Sequence, residues 1–160
     1  WGAWQRAGLP HTVAQPVVEA ATYSNRVQTQ LTVDSAAVTA NLQSRRAQVL
    51  DARSPDRYRG ENETLDPVAG HIPGAINRFF KLNLAEDGCF KPAATLKQEF
   101  AGMLNGYGPE AVIHQCGSGV TACHNLLAME IAGLDGSRLY PGSWSEWVSD
   151  RRRPVATGNS

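Results

Sequence analysis

Six consecutive residues in the second half of the chain have the types and spacing from which a nucleophilic site is built: Cys116, Gly117, Ser118, Gly119, Val120 and Thr121. They follow an apolar, β-branched run at 111–115, which predicts a buried strand, and they lead into a helical pattern at 121–131. In open α/β sheets a reactive site lies beyond the carboxyl ends of the strands, where the next helix begins. The two glycines allow a tight turn that aims backbone N–H groups inward, and the helix N-terminus adds a positive dipole. Both effects favour the thiolate, the nucleophilic form of the cysteine, and the two hydroxyl side chains lie in the same small cradle.

The elements that must position this cysteine alternate between strand and helix patterns. Strands are predicted at 48–51, 75–77, 111–115 and 138–140, and helices at 35–44, 55–58, 93–104, 121–131 and 144–148. On the helix at 121–131 we expect Leu126, Leu127 and Ile131 to face the core. Strands that alternate with helices predict an α/β fold, with a central parallel sheet flanked by helices on both faces.

Composition narrows the classes of partner. The chain of 160 residues is long enough for one domain with a buried core. Its 15 basic side chains balance 15 acidic ones, so neither nucleic acid nor an anionic membrane is expected as the main partner. No apolar stretch approaches the roughly 20 residues that cross a bilayer. The 3 cysteines and 4 histidines have neither a disulfide nor a zinc spacing, so no metal is expected.

Two tryptophan pairs repeat at the two ends of the chain. Trp1 and Trp4 have the same spacing as Trp144 and Trp147, and a proline follows each pair after a similar interval. This repeat predicts that residues 1–30 comprise the end of a preceding, related domain and an interdomain linker, and that the catalytic domain spans 31–160. The alternative is a tryptophan-rich end that packs on the surface.

Residues 116–123, Cys-Gly-Ser-Gly-Val-Thr-Ala-Cys, resemble the active-site loop of the 3-mercaptopyruvate sulfurtransferases within the rhodanese superfamily. Further motifs fall in that family's order and spacing: Asp-Ala-Arg at 51–53, Arg-Tyr-Arg-Gly at 57–60, Gly-His-Ile-Pro-Gly-Ala at 70–75 and Gly-Ser-Trp-Ser-Glu-Trp at 142–147. The resemblance implies a rhodanese-like fold and the catalytic C-terminal domain of a two-domain 3-mercaptopyruvate or thiosulfate sulfurtransferase. It also implies that residues 1–30 include the end of an inactive rhodanese-like domain, which would be a partner of this chain.

The chemistry that the resemblance implies is a ping-pong cycle. The thiolate of Cys116 attacks the sulfur of a donor and becomes a persulfide, whose outer sulfur then passes to a thiol or to cyanide. Backbone N–H groups of residues 117–121 would stabilise the anionic persulfide. Because the protein itself carries the sulfur, no organic cofactor is expected.

Three arginines are candidates for binding the donor. Arginine suits the planar carboxylate of mercaptopyruvate, and alignment with the family favours Arg57 for this role. Arg53 and Arg59 are further candidates, for which salt bridges to the nearby acidic residues at 51, 56 or 61 are the alternative. The loop at 61–66 is shorter than in the family and lacks a further arginine that mercaptopyruvate-using members often carry.

The charge of the cysteine loop and the resemblance to the family together predict the sulfur donor and the sulfur acceptor. Thiosulfate-using rhodaneses carry an Arg-Lys pair directly after the cysteine, where this chain has Gly117 and Ser118. The loss of two positive charges favours 3-mercaptopyruvate over thiosulfate. The acceptor is expected to be thioredoxin, glutathione, another protein thiol or cyanide. A cytoplasmic location is expected, with the periplasm left open.

Two other classes compete with this interpretation. In phosphatases of related fold an arginine stands six positions after the cysteine, where this chain has Ala122. A non-catalytic binding or regulatory domain would usually lack the cysteine. Among the remaining chemical side chains, His71, His114 and His124 are expected to be structural, and Cys123 is expected to be a small buried residue. Cys89 is assigned no role.

Overall fold

Four parallel strands form the centre of the protein in a computed structural model, which describes residues 1–26 and 28–159. Val27 and Ser160, which belong to the predicted linker and catalytic domain, lie outside the described residues. The strands lie in the order β2-β1-β3-β4, and every neighbouring pair is parallel. Their bounds are Gln48–Asp51 (β1), Ile76–Asn77 (β2), Val112–Gln115 (β3) and Arg138–Leu139 (β4).

Six α-helices and three short 3₁₀ turns connect and cover the strands of the described chain. The helices are Gly2–Arg6 (α1), Ser35–Ser44 (α2), Pro55–Arg59 (α3), Ala93–Met103 (α4), Val120–Ile131 (α5) and Ser143–Ser149 (α6), and the 3₁₀ turns are Thr29–Leu31, Phe80–Asn83 and Pro109–Ala111. Helix α2 begins where the Asp34 carboxylate accepts a hydrogen bond from the N–H of Ala37, at 2.8 Å. Helix α3 begins with Pro55, whose fixed φ suits the first helical turn. Apart from α1, the three 3₁₀ turns and shifts of a residue or two, these elements match the predicted ones.

Alternating residues of the central strands face two separate cores. Val49 and Ile113 face a core with α2 and α6, in which Trp144 and Trp147 are fully buried. The next residues along these strands face a core with α4 and α5; its buried members include Leu50, Leu96, Phe100, Val112 and Met129. Helices therefore cover both faces of the parallel sheet, and the predicted fold class is confirmed.

The buried face of α5 differs from the predicted one. Leu127 and Ile131 are 45% and 38% exposed, and the buried positions are Ala122, Asn125, Ala128 and Met129. The amide of Asn125 donates to the carbonyl of Arg78 at 2.8 Å and accepts from the amide of Asn83 at 2.7 Å. The expectation of an inward Leu127 and Ile131 was wrong because small side chains, with one hydrogen-bonded amide, form the contact surface of this helix.

The two tryptophan pairs have different surroundings. Residues 1–26 are exposed throughout, with Trp1 71% and Trp4 45% exposed, whereas Trp144 and Trp147 are buried. Despite this, both segments make the same local bond to a following proline. The indole N–H of Trp4 donates to the carbonyl of Pro10 at 3.1 Å, and that of Trp147 donates to the carbonyl of Pro154 at 2.9 Å. Within 1–26 and 28–159, no helix combines the length and the apolar character needed to cross a bilayer.

Candidate active site

A cleft of about 610 Å³ opens at the carboxyl ends of β1 and β3. One side, which we call the cysteine wall, consists of residues 116–121 and the start of α6. The other side, which we call the arginine wall, consists of Arg53, Arg57 and the acidic residues that bind them. The complete lining is Ala52, Arg53, Ser54, Arg57, Leu65, Asp66, Phe79, Phe80, Lys81, Cys116, Gly117, Ser118, Val120, Thr121 and Ser145.

Cys116 is bound to the segment that begins α6. It lies at the end of β3 and is only 2% exposed. Its N–H donates to the hydroxyl of Ser143 at 3.0 Å, and that hydroxyl donates to the carbonyl of Tyr140 at 2.9 Å. The carbonyl of Cys116 accepts from the N–H of Trp144 at 3.0 Å. These bonds hold the cysteine backbone on both sides, so its position depends on packing from a distant part of the chain.

The turn after the cysteine leaves backbone donors available. The N–H groups of Gly117, Ser118 and Gly119 donate no hydrogen bond to any residue in 1–26 or 28–159. Helix α5 begins at Val120, and no side chain caps its first turn. Unpaired N–H groups at a helix N-terminus form a site for an anion, such as a thiolate or a persulfide.

Gly119 is required by both conformation and space. Its φ of +81° is in the left-handed region, which favours glycine. A Cβ at this position would lie 2.6 Å from the carbonyl oxygen of Pro141, which is closer than real contacts allow. The close approach of the cysteine loop to the chain before α6 therefore depends on this glycine.

The arginine wall is built around Glu63, whose side chain is 1% exposed. Its carboxylate accepts from Nε of Arg57 at 3.0 Å and from Nη2 of Arg57 at 2.8 Å, and it accepts from Nη1 of Arg53 at 3.4 Å. Asp66 accepts a further bond from Arg57 at 3.4 Å. Nη1 of Arg57 makes no hydrogen bond within the described part of the chain, and a Cβ added to Gly117 would lie 3.7 Å from both Nη1 and Nη2. The Nε and Nη2 groups of Arg57 are thus held by carboxylates, while Nη1 is unpaired and the end of the guanidinium faces the cysteine loop.

The charge state of Glu63 follows from these contacts. Burial alone would raise the pKa of this carboxyl. Hydrogen bonds from Arg57 and from the backbone N–H groups of Leu65 and Asp66 outweigh that cost and hold the pKa below its usual value. Glu63 is therefore ionised at neutral pH and forms a charged pair with Arg57.

The other two candidate arginines form the salt bridges that the sequence left open as the alternative. Arg53 is buried; its guanidinium donates to Asp51 at 2.7 Å and lies 4.7 Å from the centre of the Trp144 ring. Arg59 pairs with Glu61 at 2.7 Å and lines a different cavity, beside Tyr58. Their participation in donor binding stays a prediction.

The sequence analysis missed Asp66, which lines the cleft, and Glu63, which binds the lining residue Arg57. Glu63 and Asp66 lie in the loop that was considered only for the arginine it lacks. The arginines at 53 and 57 could have pointed to these acidic residues, because an arginine that folding buries needs a carboxylate partner. Lys81 and its neighbour Phe80 follow β2, so the rule that sites form beyond strand ends pointed to them as well.

The histidines and Cys123 lie outside the cleft lining. His71 is buried, stacks on Tyr58 at 3.8 Å between ring centres and contacts the carbonyl of Tyr58 through Nδ1 at 2.8 Å. His124 packs against Phe90, and His114 is buried in the sheet. These three structural assignments agree with the contacts.

Cys123 is the exception, because its predicted burial was wrong. Its thiol is exposed on α5 and donates to the carbonyl of Gly119 at 3.3 Å. The nearest buried positions of α5 are Ala122, one residue before Cys123, and Asn125, two residues after it. No group of three or more side chains able to hold a metal ion occurs in the part of the chain that the structure describes.

A parallel α/β sheet with a cysteine in a glycine turn at a helix N-terminus is an arrangement in which a cysteine can act as a nucleophile. Comparison with known sequences identifies the family. The sequence model of the "Rhodanese-like domain" family matches residues 34–150, and the chain belongs to that family.

The curated proteins that are similar in sequence are longer than this chain. A Pseudomonas aeruginosa protein named "Probable 3-mercaptopyruvate sulfurtransferase" is 46% identical over 157 residues, which cover 98% of this chain and 55% of that protein. The "Thiosulfate sulfurtransferase" of Rattus norvegicus is 36% identical over 157 residues, covering 96% of this chain and 52% of that protein. The chain spans about half the length of the curated relatives it matches.

Solved structures show the same fold. The Tum1 protein of Saccharomyces cerevisiae aligns with a TM-score of 0.72 and 27% identity, over 86% of this chain and 50% of that chain. A complex of EanB with ergothioneine aligns with a TM-score of 0.85 and 22% identity, over 99% of this chain and 40% of that chain. At this level of identity, the second likeness concerns the fold alone.

Proposed function

We propose that this chain is a sulfurtransferase that moves sulfur from 3-mercaptopyruvate, or from thiosulfate, through a persulfide on Cys116. The observation that carries the proposal is the position of this cysteine. It follows β3 and precedes the N-terminus of α5, with three unpaired backbone N–H groups directly after it. The names of the relatives, which span both donors, support the same chemistry.

The first half-reaction transfers one sulfur atom to the protein. The thiolate of Cys116 attacks the sulfur of 3-mercaptopyruvate, a sulfur–sulfur bond forms, and the carbon–sulfur bond breaks. Its electron pair leaves on carbon as the enolate of pyruvate, which takes up a proton. The free N–H groups of Gly117, Ser118 and Gly119 are suited to stabilise the negative charge on sulfur before and after this step.

The second half-reaction returns the cysteine to its starting state. An acceptor thiolate attacks the outer sulfur of the persulfide, and the bond between the two sulfurs breaks with its electrons remaining on Cys116. Cyanide would take the same sulfur as thiocyanate. The acceptor thiol belongs to thioredoxin, glutathione or another protein in this proposal.

Arg57 is the residue proposed to bind the carboxylate of the donor. The end of its guanidinium faces the cysteine loop with Nη1 unpaired among the described residues, while Glu63 holds Nε and Nη2 in place. A guanidinium held in this way is pre-oriented for a planar carboxylate. The neutral Gly117 and Ser118 favour mercaptopyruvate over the dianion thiosulfate. Three free cysteines support a reducing compartment such as the cytoplasm.

A preceding domain of the same fold is proposed as the partner of residues 1–30. The bond from Trp4 to Pro10 reproduces the bond from Trp147 to Pro154, which supports an origin of both segments in related domains. In its own domain, Trp147 is fully buried. The exposed Trp1 and Trp4 would be covered in the same manner by the domain to which they belong.

Intact mass spectrometry under non-reducing conditions tests the central proposal. After incubation with 3-mercaptopyruvate or with thiosulfate, the protein should gain the mass of one sulfur atom, and cyanide should remove it. The Cys116→Ser variant should gain nothing, whereas Cys89→Ser should behave as the unchanged protein because that thiol is exposed and away from the cleft. A protein that gains no sulfur from either donor, both as this chain and within a longer protein that contains it, would instead be a non-catalytic rhodanese-like domain.

A further inference from the structure

Three cationic side chains line the cleft, and they differ in how their charges are compensated. These are Arg53, Arg57 and Lys81. Because a donor with a carboxylate or a sulfonate must be attracted by net positive charge, the compensation of each cation decides which of them can attract it.

The two arginines are fully balanced by buried carboxylates. Arg53 pairs with Asp51 at 2.7 Å and Arg57 pairs with Glu63 at 2.8 Å. Asp66 adds a third negative charge at 3.4 Å from Arg57. All three carboxylates are at most 8% exposed, so water screens them poorly. The arginine wall taken alone has one more negative charge than positive charges, and it repels a small anion at a distance.

Lys81 has no such partner. Its side chain is exposed on the turn Phe80–Asn83, and no carboxylate within residues 1–26 and 28–159 pairs with its ammonium group. Its Nζ lies 5.9 Å from the centre of the Phe79 ring, which also lines the cleft. The backbone next to it is fixed, because the N–H of Phe80 donates to the carbonyl of Ala52 at 3.2 Å.

We propose that Lys81 binds the anionic end of the sulfur donor and makes the cleft selective for anionic donors. This inference rests on the proposed sulfurtransferase function and adds a second cation to Arg57. Arg57 offers directional hydrogen bonds from its Nη1 edge, but its charge is cancelled by Glu63. Lys81 supplies the positive charge that the arginine wall lacks, and its flexible side chain suits either a carboxylate or the larger thiosulfate.

The test measures the first half-reaction by itself, with no acceptor present. The rate of persulfide formation is followed against the concentration of 3-mercaptopyruvate and of thiosulfate for the unchanged protein, Lys81→Ala, Lys81→Arg and Lys97→Ala. Lys97 is the matched control, because it is an exposed lysine on α4 that lies outside the cleft lining. All four proteins are compared at about 0.05 M and about 0.5 M NaCl, since salt screens an exposed charge.

Lys81→Ala is expected to raise the half-saturating concentration of 3-mercaptopyruvate about five-fold, with a maximal rate within about two-fold of the unchanged protein. The increase should be larger for thiosulfate, which has two negative charges. Lys81→Arg should restore both values to within about two-fold, and high salt should abolish most of the difference.

Two results overturn the inference, and they differ from failure of the proposed function. If Lys81→Ala matches Lys97→Ala for both donors, or if its loss lies only in the maximal rate, Lys81 does not bind the donor. If the unchanged protein forms no persulfide, both as this chain and within a longer protein that contains it, the sulfurtransferase proposal fails and this inference fails with it.

Discussion

The two walls of the cleft hold their functional groups by different physical means. The cysteine wall is held by backbone hydrogen bonds, such as those of Cys116 with Ser143 and Trp144, and by a glycine that no other residue can replace without strain. The arginine wall is held by charge, through Glu63 and its bonds to Arg57. The cysteine wall is therefore sensitive to backbone shape and the arginine wall to the loss of a charge.

This difference reflects what each wall must do. A backbone cradle offers several N–H donors that do not change with pH, which would suit the proposed alternation of the Cys116 sulfur between thiolate and persulfide. A guanidinium on a long side chain needs a partner to fix its direction, and buried carboxylates supply that direction at the cost of its net charge. A substitution that removes a charge but keeps the shape should therefore affect the arginine wall. One that changes the backbone shape but keeps every charge should affect the cysteine wall.

The largest effect is expected from Glu63→Gln, which keeps the shape and removes the charge. The buried Arg53 and the partly exposed Arg57 would lose a shared partner, which should lower the free energy of unfolding by about 3 kcal/mol and weaken donor binding. Urea denaturation and the persulfide-forming rate measure both consequences. Glu61→Gln is the matched control, because Glu61 is 57% exposed and water screens its pair with Arg59, so that its loss should change stability little. Equal effects of the two substitutions would show that the arginine wall is not held by buried charge.

The cysteine wall is tested by Gly119→Ala, which leaves every charge in place. A left-handed backbone and a clash with the Pro141 carbonyl should cost about 2 kcal/mol of stability and displace the loop after Cys116. We expect persulfide formation to fall more than ten-fold at a donor affinity that changes less. Gly133→Ala controls for strain alone, because Gly133 also has a positive φ but its Cβ would meet no atom within 4 Å. A full rate in Gly119→Ala would mean that the loop geometry is not needed.

Acid should affect the strand behind the cysteine wall before it affects the arginine wall. Burial lowers the pKa of His114 from 6.5 to about 3, and neither ring nitrogen has a hydrogen-bond partner within the described residues. Below pH 6.5 the unfolded chain takes up a proton at this residue and the folded chain does not, so stability falls with pH. The contribution should be about 1 kcal/mol between pH 6.5 and 5.5.

Denaturant unfolding at several pH values measures this slope. His114→Leu should remove this part of the pH dependence, whereas His11→Gln, a change at an exposed residue, should leave it. The pair of Glu63 with Arg57 should persist through this range, because the pKa of Glu63 lies below its usual value. An unchanged slope in His114→Leu would assign the acid sensitivity to other groups.

The smallest effect is expected from Cys123→Ser. Its side chain is exposed and lies outside the cleft lining, so stability should change by less than about 0.5 kcal/mol and persulfide formation should stay within about two-fold. Mass spectrometry of the sulfur-loaded variant checks this, since the gain of one sulfur atom should be unaltered. A loss of persulfide in this variant would bring the exposed thiol into the cycle.

Most of the helices and strands, and the cysteine wall of the cleft, could be predicted from local patterns in the sequence. The strand at 111–115, the glycine turn and the following helix are all encoded within about twenty consecutive residues, so Cys116 could be identified directly. The buried face of α5 could not, because Ala122 and Asn125 face inward only as a result of what packs against them. The partners of Arg57 were missed for a similar reason, since the polar loop that supplies them has no periodic pattern.

The two tryptophan pairs show most clearly which features the sequence by itself determined and which only the tertiary structure decided. The same spacing produced the same indole-to-proline hydrogen bond in both segments, at Trp4 and at Trp147, because that bond joins residues six or seven positions apart. Burial differs completely between them, at 45% and 0% exposed, because burial depends on strands and helices from elsewhere in the chain. In the same way, the sequence pointed to Cys116 as the proposed nucleophile, and the tertiary structure decided which cations near it pair with carboxylates. Local bonds need only neighbours along the chain, whereas the net charge of a cleft depends on every group that folding brings to it.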